Sequence, residues 1–394
     1  MNETMGFSTI CARDSAHLTE GNLKPTVPPI YMTTSFLFDS AEDGATKCQD
    51  YENGFAYSRD CNPTNMYLAK KIAELEQGES AMVFGSGVGA ISAVLFMLTK
   101  SGDHCIADHT LYSASHYLLD TTLPNYGVDV QFVDTSNLSE LENAIRDNTK
   151  FIYLETPANP TMKVVDLPAI AQIAKKHHVT TIVDSTFATP YLQRPLTMGI
   201  DVVLHSTTKY LCGHGDALGG VVVSNNKFIH ELNLSSLQNI GAVASPFNSW
   251  LTLRGIKTLR VRMDWMCKSA MQIAKWLESH PKVAAVHYPG LESDPYHELA
   301  SRIMDDYGAM ISFELKGGLE AGRAMMNAVK LCGLAVSLGH ADTIIQHPAS
   351  MTHWYTSKKD REASGITDGL VRLSVGLEDT EDIINDLEQA MSTI

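Results

Sequence analysis

The sequence predicts an α/β protein, with a mostly parallel, doubly wound sheet followed by a smaller C-terminal α+β domain. Three observations carry this. A chain of 394 residues is too long for one small core and suits two domains. From residue 66 onward, short β-rich runs alternate with helical patterns, as βαβ units do. After about residue 245 the alternation gives way to a long helical stretch and then to scattered strands.

Residues 1–60 form an N-terminal arm. Residues 21–65 carry prolines and aromatics but little helical periodicity, from "GNLKPTVPPIYMTTSFLF" to "YENGFAYSRDCNPTN", and are expected to be extended. Residues 61–245 make the large domain. It opens with a helix over 66–76, the strand "AMVF" (81–84), a glycine turn and an apolar helix ending at Leu98. Strands follow at "HCIAD" (104–108), "VDVQFVD" (128–134), "KFIYLET" (150–156), "VTTIVDS" (179–185), "DVVLHS" (201–206) and "GGVVVS" (219–224), with helices over 138–147 and 166–177 among them. Runs this apolar point to strands buried on both faces. Residues 246–394 are the C-terminal domain. One helical stretch, "LTLRGIKTLRVRMDWMCKSAMQIAKWLESH", runs up to Pro281, and strands are expected at 283–288, 309–315 and 370–376.

Composition excludes several classes of function. Hydrophobic residues make up 44% and charged residues 19%, which suits a packed globule. A net charge of -15 without a local run of Lys and Arg would repel phosphates, so no nucleic-acid partner is expected. The first ten residues lack a signal-peptide pattern and the run "AISAVLFML" is too short to span a bilayer, so a cytoplasmic protein with no membrane partner is expected. Seven scattered cysteines without a C-x-x-C pair fit a reducing compartment and read as small buried hydrophobes. The histidines show no ligand spacing, and no metal is expected.

Four features carry chemistry. In "VFGSGVGAIS" (83–92) a strand meets glycines and a helix start, where unpaired N–H groups at the positive end of the dipole attract a phosphate; a purely structural turn is the alternative. Asp184 ends an apolar strand, where α/β sheets bind ligands, or else serves as a helix cap. Lys209 follows Ser206, Thr207 and Thr208, with glycines behind it. It is either a solvated surface amine or a desolvated one able to attack carbonyls. Arg372 lies on the apolar strand "LVRLSVG", suited to clamp a carboxylate or to form a structural ion pair. Phosphate cradle, acid, amine and clamp together describe pyridoxal 5′-phosphate (PLP) holding an amino acid: the lysine forms its Schiff base and the aspartate keeps its ring nitrogen protonated.

The motifs "YSRDCNPT", "FGSGVGAIS", "ETPANPTMKVVD", "VDSTFATP", "HSTTKYLCGHGD", "AVSLG", "QHPASMTH" and "VRLSVGLED" occur in one order over almost the whole chain. By them the sequence resembles the Cys/Met-metabolism family of fold-type I PLP enzymes. The resemblance implies that Lys209 is the Schiff-base lysine and Asp184 the partner of the pyridinium nitrogen. Ser206, Thr208 and the amides of Gly87 and Val88 would hold the phosphate. Tyr112 would stack on the ring and act as acid/base, and Asn159 would lie near the ring hydroxyl. Arg372 and Ser337 would bind the substrate carboxylate. Tyr57 and Arg59 would reach the cofactor of a neighbouring subunit in a homotetramer built from two dimers.

The resemblance also bears on the reaction. The segment "LAVSLGHADTIIQHPASMTH" is most similar to that of methionine γ-lyases, because Val336 stands where cystathionine-using relatives carry a glutamate. A PLP-dependent carbon–sulfur lyase is therefore expected, eliminating a thiol from L-methionine or L-homocysteine to leave 2-oxobutanoate and ammonia. Two positions depart from that pattern: Ala114 replaces a cysteine and Gln238-Asn239 a Lys-Asp pair. They keep open a cysteine or homocysteine desulfhydrase and a cystathionine γ-lyase. An O-acylhomoserine sulfhydrylase and a non-catalytic PLP-fold binding protein are further alternatives. His116, four residues after Tyr112, is a further candidate for the substrate pocket.

Overall fold

The computed structural model describes residues 5–13, 25–50, 54–354, 357–363 and 365–394. Seven strands form the large sheet: β1 (Ser80–Phe84), β2 (His104–Asp108), β3 (Asp129–Val133), β4 (Thr149–Glu155), β5 (Thr180–Asp184), β6 (Val202–His205) and β7 (Gly220–Ser224). Their order is β1-β7-β6-β5-β4-β2-β3. Strands β3, β2, β4, β5 and β6 are parallel, while β7 runs antiparallel to both β6 and β1. Every residue of β2, β6 and β7 is buried, as expected for strands covered on both faces. One covering cluster holds Ile91, Val94, Phe151 and Leu204, and the other holds Ile106, Ile152, Ile170 and Val183.

The C-terminal sheet contains β8 (Val283–His287), β9 (Met310–Leu315), β10 (Gly333–Leu334), β11 (Ile344–Gln346) and β12 (Leu370–Ser374), in the order β10-β11-β12-β9-β8. Strands β10 and β11 escape sequence periodicity because two or three residues show no period. A third apolar cluster joins the two sheets. It includes Leu68 and Ile72, Met263 and Ile273, and Ile311 and Phe313 of β9.

Four local expectations need correction. The stretch expected to be extended is interrupted by a helix: besides Phe7–Ala12, which precedes it, Ala41–Lys47 is helical. The second starts where the Ser40 hydroxyl accepts the Asp43 N–H and is closed by a Lys47–Asp43 ion pair, local signals that need no long period. Residues 1–4, 14–24 and 51–53 of the arm lie outside the described residues. The helix expected from 66 begins at Pro63, because Asn62 caps Thr64 and Asn65 and proline presets the first turn. The long C-terminal helical stretch is two helices, Pro246–Ile256 and Leu259–Ser279. Between them the Thr258 N–H and hydroxyl and the Arg262 guanidinium all converge on the Gly255 carbonyl, which ends the first helix. Cys48 is exposed, unlike the other six cysteines.

Candidate active site

Register brings the carboxyl ends of three strands side by side. Glu155 of β4 pairs with Asp184 of β5, and Asp184 pairs with Leu204 of β6. Immediately beyond, the Ser206 N–H donates to the Thr186 hydroxyl at 2.9 Å. This is where an open α/β sheet receives its ligand.

The lysine segment is a tight turn between β6 and β7. Lys209 N–H donates to the Ser206 carbonyl at 3.2 Å and Gly213 N–H to the Lys209 carbonyl at 2.7 Å. Gly213 has φ +75°, and a Cβ there would stand 2.1 Å from Nη1 of the buried Arg262. That arginine secures the turn from behind, donating to the carbonyls of Tyr210 and Gly255 at 2.9 Å each. The amine so placed donates to the Ser337 hydroxyl at 2.7 Å. Burial and the neighbouring Arg372 charge lower its pKa from the usual 10.5 to about 8, against the pull of Asp184. The surface-amine alternative therefore falls away.

The glycine turn has the properties of an anion site. The Ser86 hydroxyl caps the helix Gly87–Leu98 by accepting the Gly89 N–H at 3.0 Å. No described residue accepts from the N–H groups of Gly87 or Val88. A Cβ on Gly87 would sit 2.9 Å from that of Ser206, so this helix start abuts the lysine segment. On the opposite side, the Thr208 hydroxyl is shared with the backbone of Gly219.

Asp184 is buried, with one carboxylate oxygen held by the Thr186 N–H at 3.0 Å and by its hydroxyl. Burial pushes its carboxyl up, and the Thr186 bonds and the charges of His205 and Lys209 oppose this. A cationic ring nitrogen would add to that opposition and favour the carboxylate. The other oxygen has no donor among the described residues. Arg372, only 5% exposed, donates to the Asn159 side-chain oxygen at 2.9 Å and to the Ser337 carbonyl at 2.7 Å. No carboxylate pairs with it among the described residues, so the structural ion pair is replaced by neutral acceptors that leave guanidinium N–H groups to spare. Burial lowers its pKa to about 10, which still leaves it a cation at neutral pH.

Glu155 is the residue that sequence reading missed. One of its oxygens accepts the Tyr112 N–H and the other the Asn159 N–H, both at 2.7 Å. Its signal was present: like Asp184, it is an acid at the end of an apolar strand. Burial and the Asp184 charge raise its pKa, and the two N–H bonds lower it. The ring of Tyr112 itself is 41% exposed.

Other sequence candidates make no described side-chain hydrogen bond to this cluster, although the His116 N–H donates to the Tyr112 carbonyl at 2.9 Å. His116 stacks on Phe132 with ring centres 4.7 Å apart, which occupies one face of the imidazole. Val336 adjoins Ser337 but is 60% exposed. Ala114 is partly buried in the short helix Ser113–Tyr117. The Asn239 amide is turned to the Leu234 carbonyl. Arg59 lies over the Tyr57 ring at 5.0 Å, with both residues at the surface.

An amine of lowered basicity, a buried carboxylate, an anion-ready helix start and a half-satisfied guanidinium meet at the strand ends. Their chemistry matches PLP on every side, and this donor set on a doubly wound sheet defines a PLP-dependent enzyme of amino-acid metabolism. The chain belongs to the Cys/Met metabolism PLP-dependent enzyme family, whose match spans residues 8–392. It is 52% identical over 368 residues to L-methionine gamma-lyase of Fusobacterium nucleatum subsp. polymorphum, covering 93% of each chain. It is 48% identical to L-methionine gamma-lyase of Treponema denticola, covering 100% of this chain and 98% of that one. Cystathionine gamma-lyase of Bacillus subtilis is 47% identical over 93% of this chain and 94% of its own. Among solved structures, MetB from Corynebacterium glutamicum superposes with a TM-score of 0.91 at 39% identity, covering 99% of this chain and 98% of that chain. No helix among the described residues is long and apolar enough to cross a membrane.

Proposed function

We propose that the protein is a PLP-dependent carbon–sulfur lyase that converts L-methionine and L-homocysteine into a thiol, 2-oxobutanoate and ammonia. The observation that carries the reading is one run of contacts, Lys209–Ser337–Arg372–Asn159, which ties the buried amine to the guanidinium. The methionine γ-lyases among its relatives support the substrate class.

When bound, PLP supplies an aldehyde that condenses with amines and a protonated ring that accepts electrons from Cα. The residues of the chain do the rest. Gly87, Val88, Ser206 and Thr208 would bind the PLP phosphate, and Asp184 would accept the ring N–H. Lys209 would hold the cofactor by its amine and, when free of it, would serve as base. Arg372 and Ser337 fix the substrate carboxylate, which directs the Cα proton to Lys209. An amine with a pKa of about 8 has a useful neutral fraction at physiological pH and so can serve as that base. Once it has shed that proton, Lys209 would take up one from Cβ, and the Tyr112 phenol would protonate the departing sulfur. Asn159 holds Arg372 and would lie near the ring hydroxyl. The exposed Tyr57 and Arg59 fit a role at a neighbour's cofactor, in a cytoplasmic homotetramer of two dimers. Ala114 and His116 would border the substrate side chain.

The relationship to a cystathionine γ-lyase makes Val336 the position to test. Its aliphatic side chain offers nothing to the distal ammonium of cystathionine. The enzyme should release 2-oxobutanoate from methionine and homocysteine, and Val336→Glu should move preference toward cystathionine by about fivefold, the worth of one partly exposed ion pair. Efficient homocysteine formation from O-acetylhomoserine and sulfide, with negligible 2-oxo acid release from methionine, would instead establish a replacement enzyme. Pyruvate from cysteine as the main product would establish a desulfhydrase.

A further inference from the structure

Ser337 does more than neighbour Lys209. Its hydroxyl oxygen receives the Lys209 N–H at 2.7 Å and lies 3.2 Å from Nε2 of His340. The segment is built to hold this arrangement. Ser337 has φ +85°, a left-handed conformation costly for a serine and the kind of strain that marks functional positions. Gly339 has φ +71°, and a Cβ there would stand 2.7 Å from the Tyr210 backbone nitrogen, so only glycine lets the segment lie on the lysine turn. From the other side, Gly215 of "CGHGD" has φ +69°, and a Cβ there would meet His340 Nδ1 at 2.7 Å. Gly215 thus makes room for the His340 imidazole, and Gly339 lets the segment that carries it lie against the Lys209 turn.

The polarity of the chain follows from its members. Lys209 donates to Ser337, so the Ser337 hydroxyl has its own proton to donate, and a neutral imidazole nitrogen accepts it. Burial and the Lys209 charge lower the His340 pKa below its usual 6.5 and keep that nitrogen free, while Asp342 and Asp216 act the other way. His340 is partly exposed, whereas the Lys209 amine is largely buried.

We propose that His340 is a positioning and proton-relay residue for Lys209, acting through the Ser337 hydroxyl. A base that removes a proton at Cα and then one at Cβ must shed the first before taking the second. Here the excess proton on Nζ passes to the Ser337 oxygen as the Ser337 hydroxyl proton passes to Nε2. A neutral amine, an intact hydroxyl and an imidazolium result, and the imidazolium releases its proton to water. The inference rests on the reading of Lys209 as the base.

The two readings are separable with L-norvaline, which offers Cα and Cβ protons but no leaving group. In the holoenzyme in D2O, solvent deuterium should enter Cα and Cβ of norvaline, as followed by proton NMR. With His340→Leu the rate should fall about tenfold, short of the roughly hundredfold of a direct acid/base partner because water can substitute. His340→Gln, which keeps polarity but cannot carry a proton, should fall equally. Exchange as fast as in the parent for both variants overturns the relay alone, and no exchange in the parent overturns the base assignment itself. In the cofactor-free protein, the ring-carbon NMR signal of His340, identified by its loss in His340→Gln, should titrate below the usual histidine value. It should move up in Lys209→Met, with Asp216 and Asp342 unchanged. A titration indifferent to Lys209 also overturns the relay.

Discussion

Replacing Lys209 by methionine in the cofactor-free protein should stabilise it at neutral pH, and the gain should shrink as pH rises. The amine has a pKa of about 8 in the folded chain against 10.5 for an ordinary lysine. The unfolded chain therefore binds more protons between those values, so folding stability rises with pH across that window. Below pH 8 the penalty of keeping a protonated amine in this pocket is fully present. At about 1.36 kcal/mol per pH unit it comes to roughly 3 kcal/mol. By pH 9.5 more than half of it has gone. Methionine fills similar space without the charge but forgoes the bond to Ser337, about 1 kcal/mol. The variant should thus exceed the parent by about 2 kcal/mol at pH 6.5 and by little or nothing at pH 9.5. Urea denaturation of both cofactor-free proteins at the two pH values measures this. A stability difference that stays constant between them would refute the desolvated-amine reasoning, whatever its sign.

Gly87→Ala should weaken PLP retention at least about tenfold in equilibrium dialysis, since its Cβ would press on Ser206 at 2.9 Å and displace the helix start; retention equal to the parent's would remove Gly87 from the phosphate site. Glu155→Gln can accept only one of the two N–H groups of Tyr112 and Asn159, and it turns an amide donor toward the other. It should lower kcat about tenfold with a smaller change in KM, and unchanged kcat would show that Tyr112 is positioned without it.

Much of the architecture could be read in advance, for a reason visible in β2, β6 and β7. Strands buried on both faces must be apolar along their whole length, so they stand out as runs, and helices that cover them stand out by period. The misses share the opposite property. Strands β10 and β11 are too short to have a period, Ala41–Lys47 is set by its caps, and the break at Lys257–Thr258 comes from groups converging on one carbonyl. In the site, Lys209, Asp184 and Arg372 were legible because a charge in or beside an apolar strand is conspicuous. Glu155 met the same criterion and was overlooked. His340 gave no signal, since nothing in "SLGHAD" says that its ring lies against Gly215.

Residue types and local order determine by themselves that this chain makes a doubly wound sheet and carries the donors for PLP and an amino acid, because patterning, glycine turns and charges among apolar residues are local properties. Which donors meet is decided only by tertiary structure. Arg372 touches Asn159 across 213 positions, and Lys209 touches Ser337 across 128. The lowered pKa of Lys209 exists only there, because desolvation and the field of a neighbouring guanidinium are created by packing rather than by sequence neighbours.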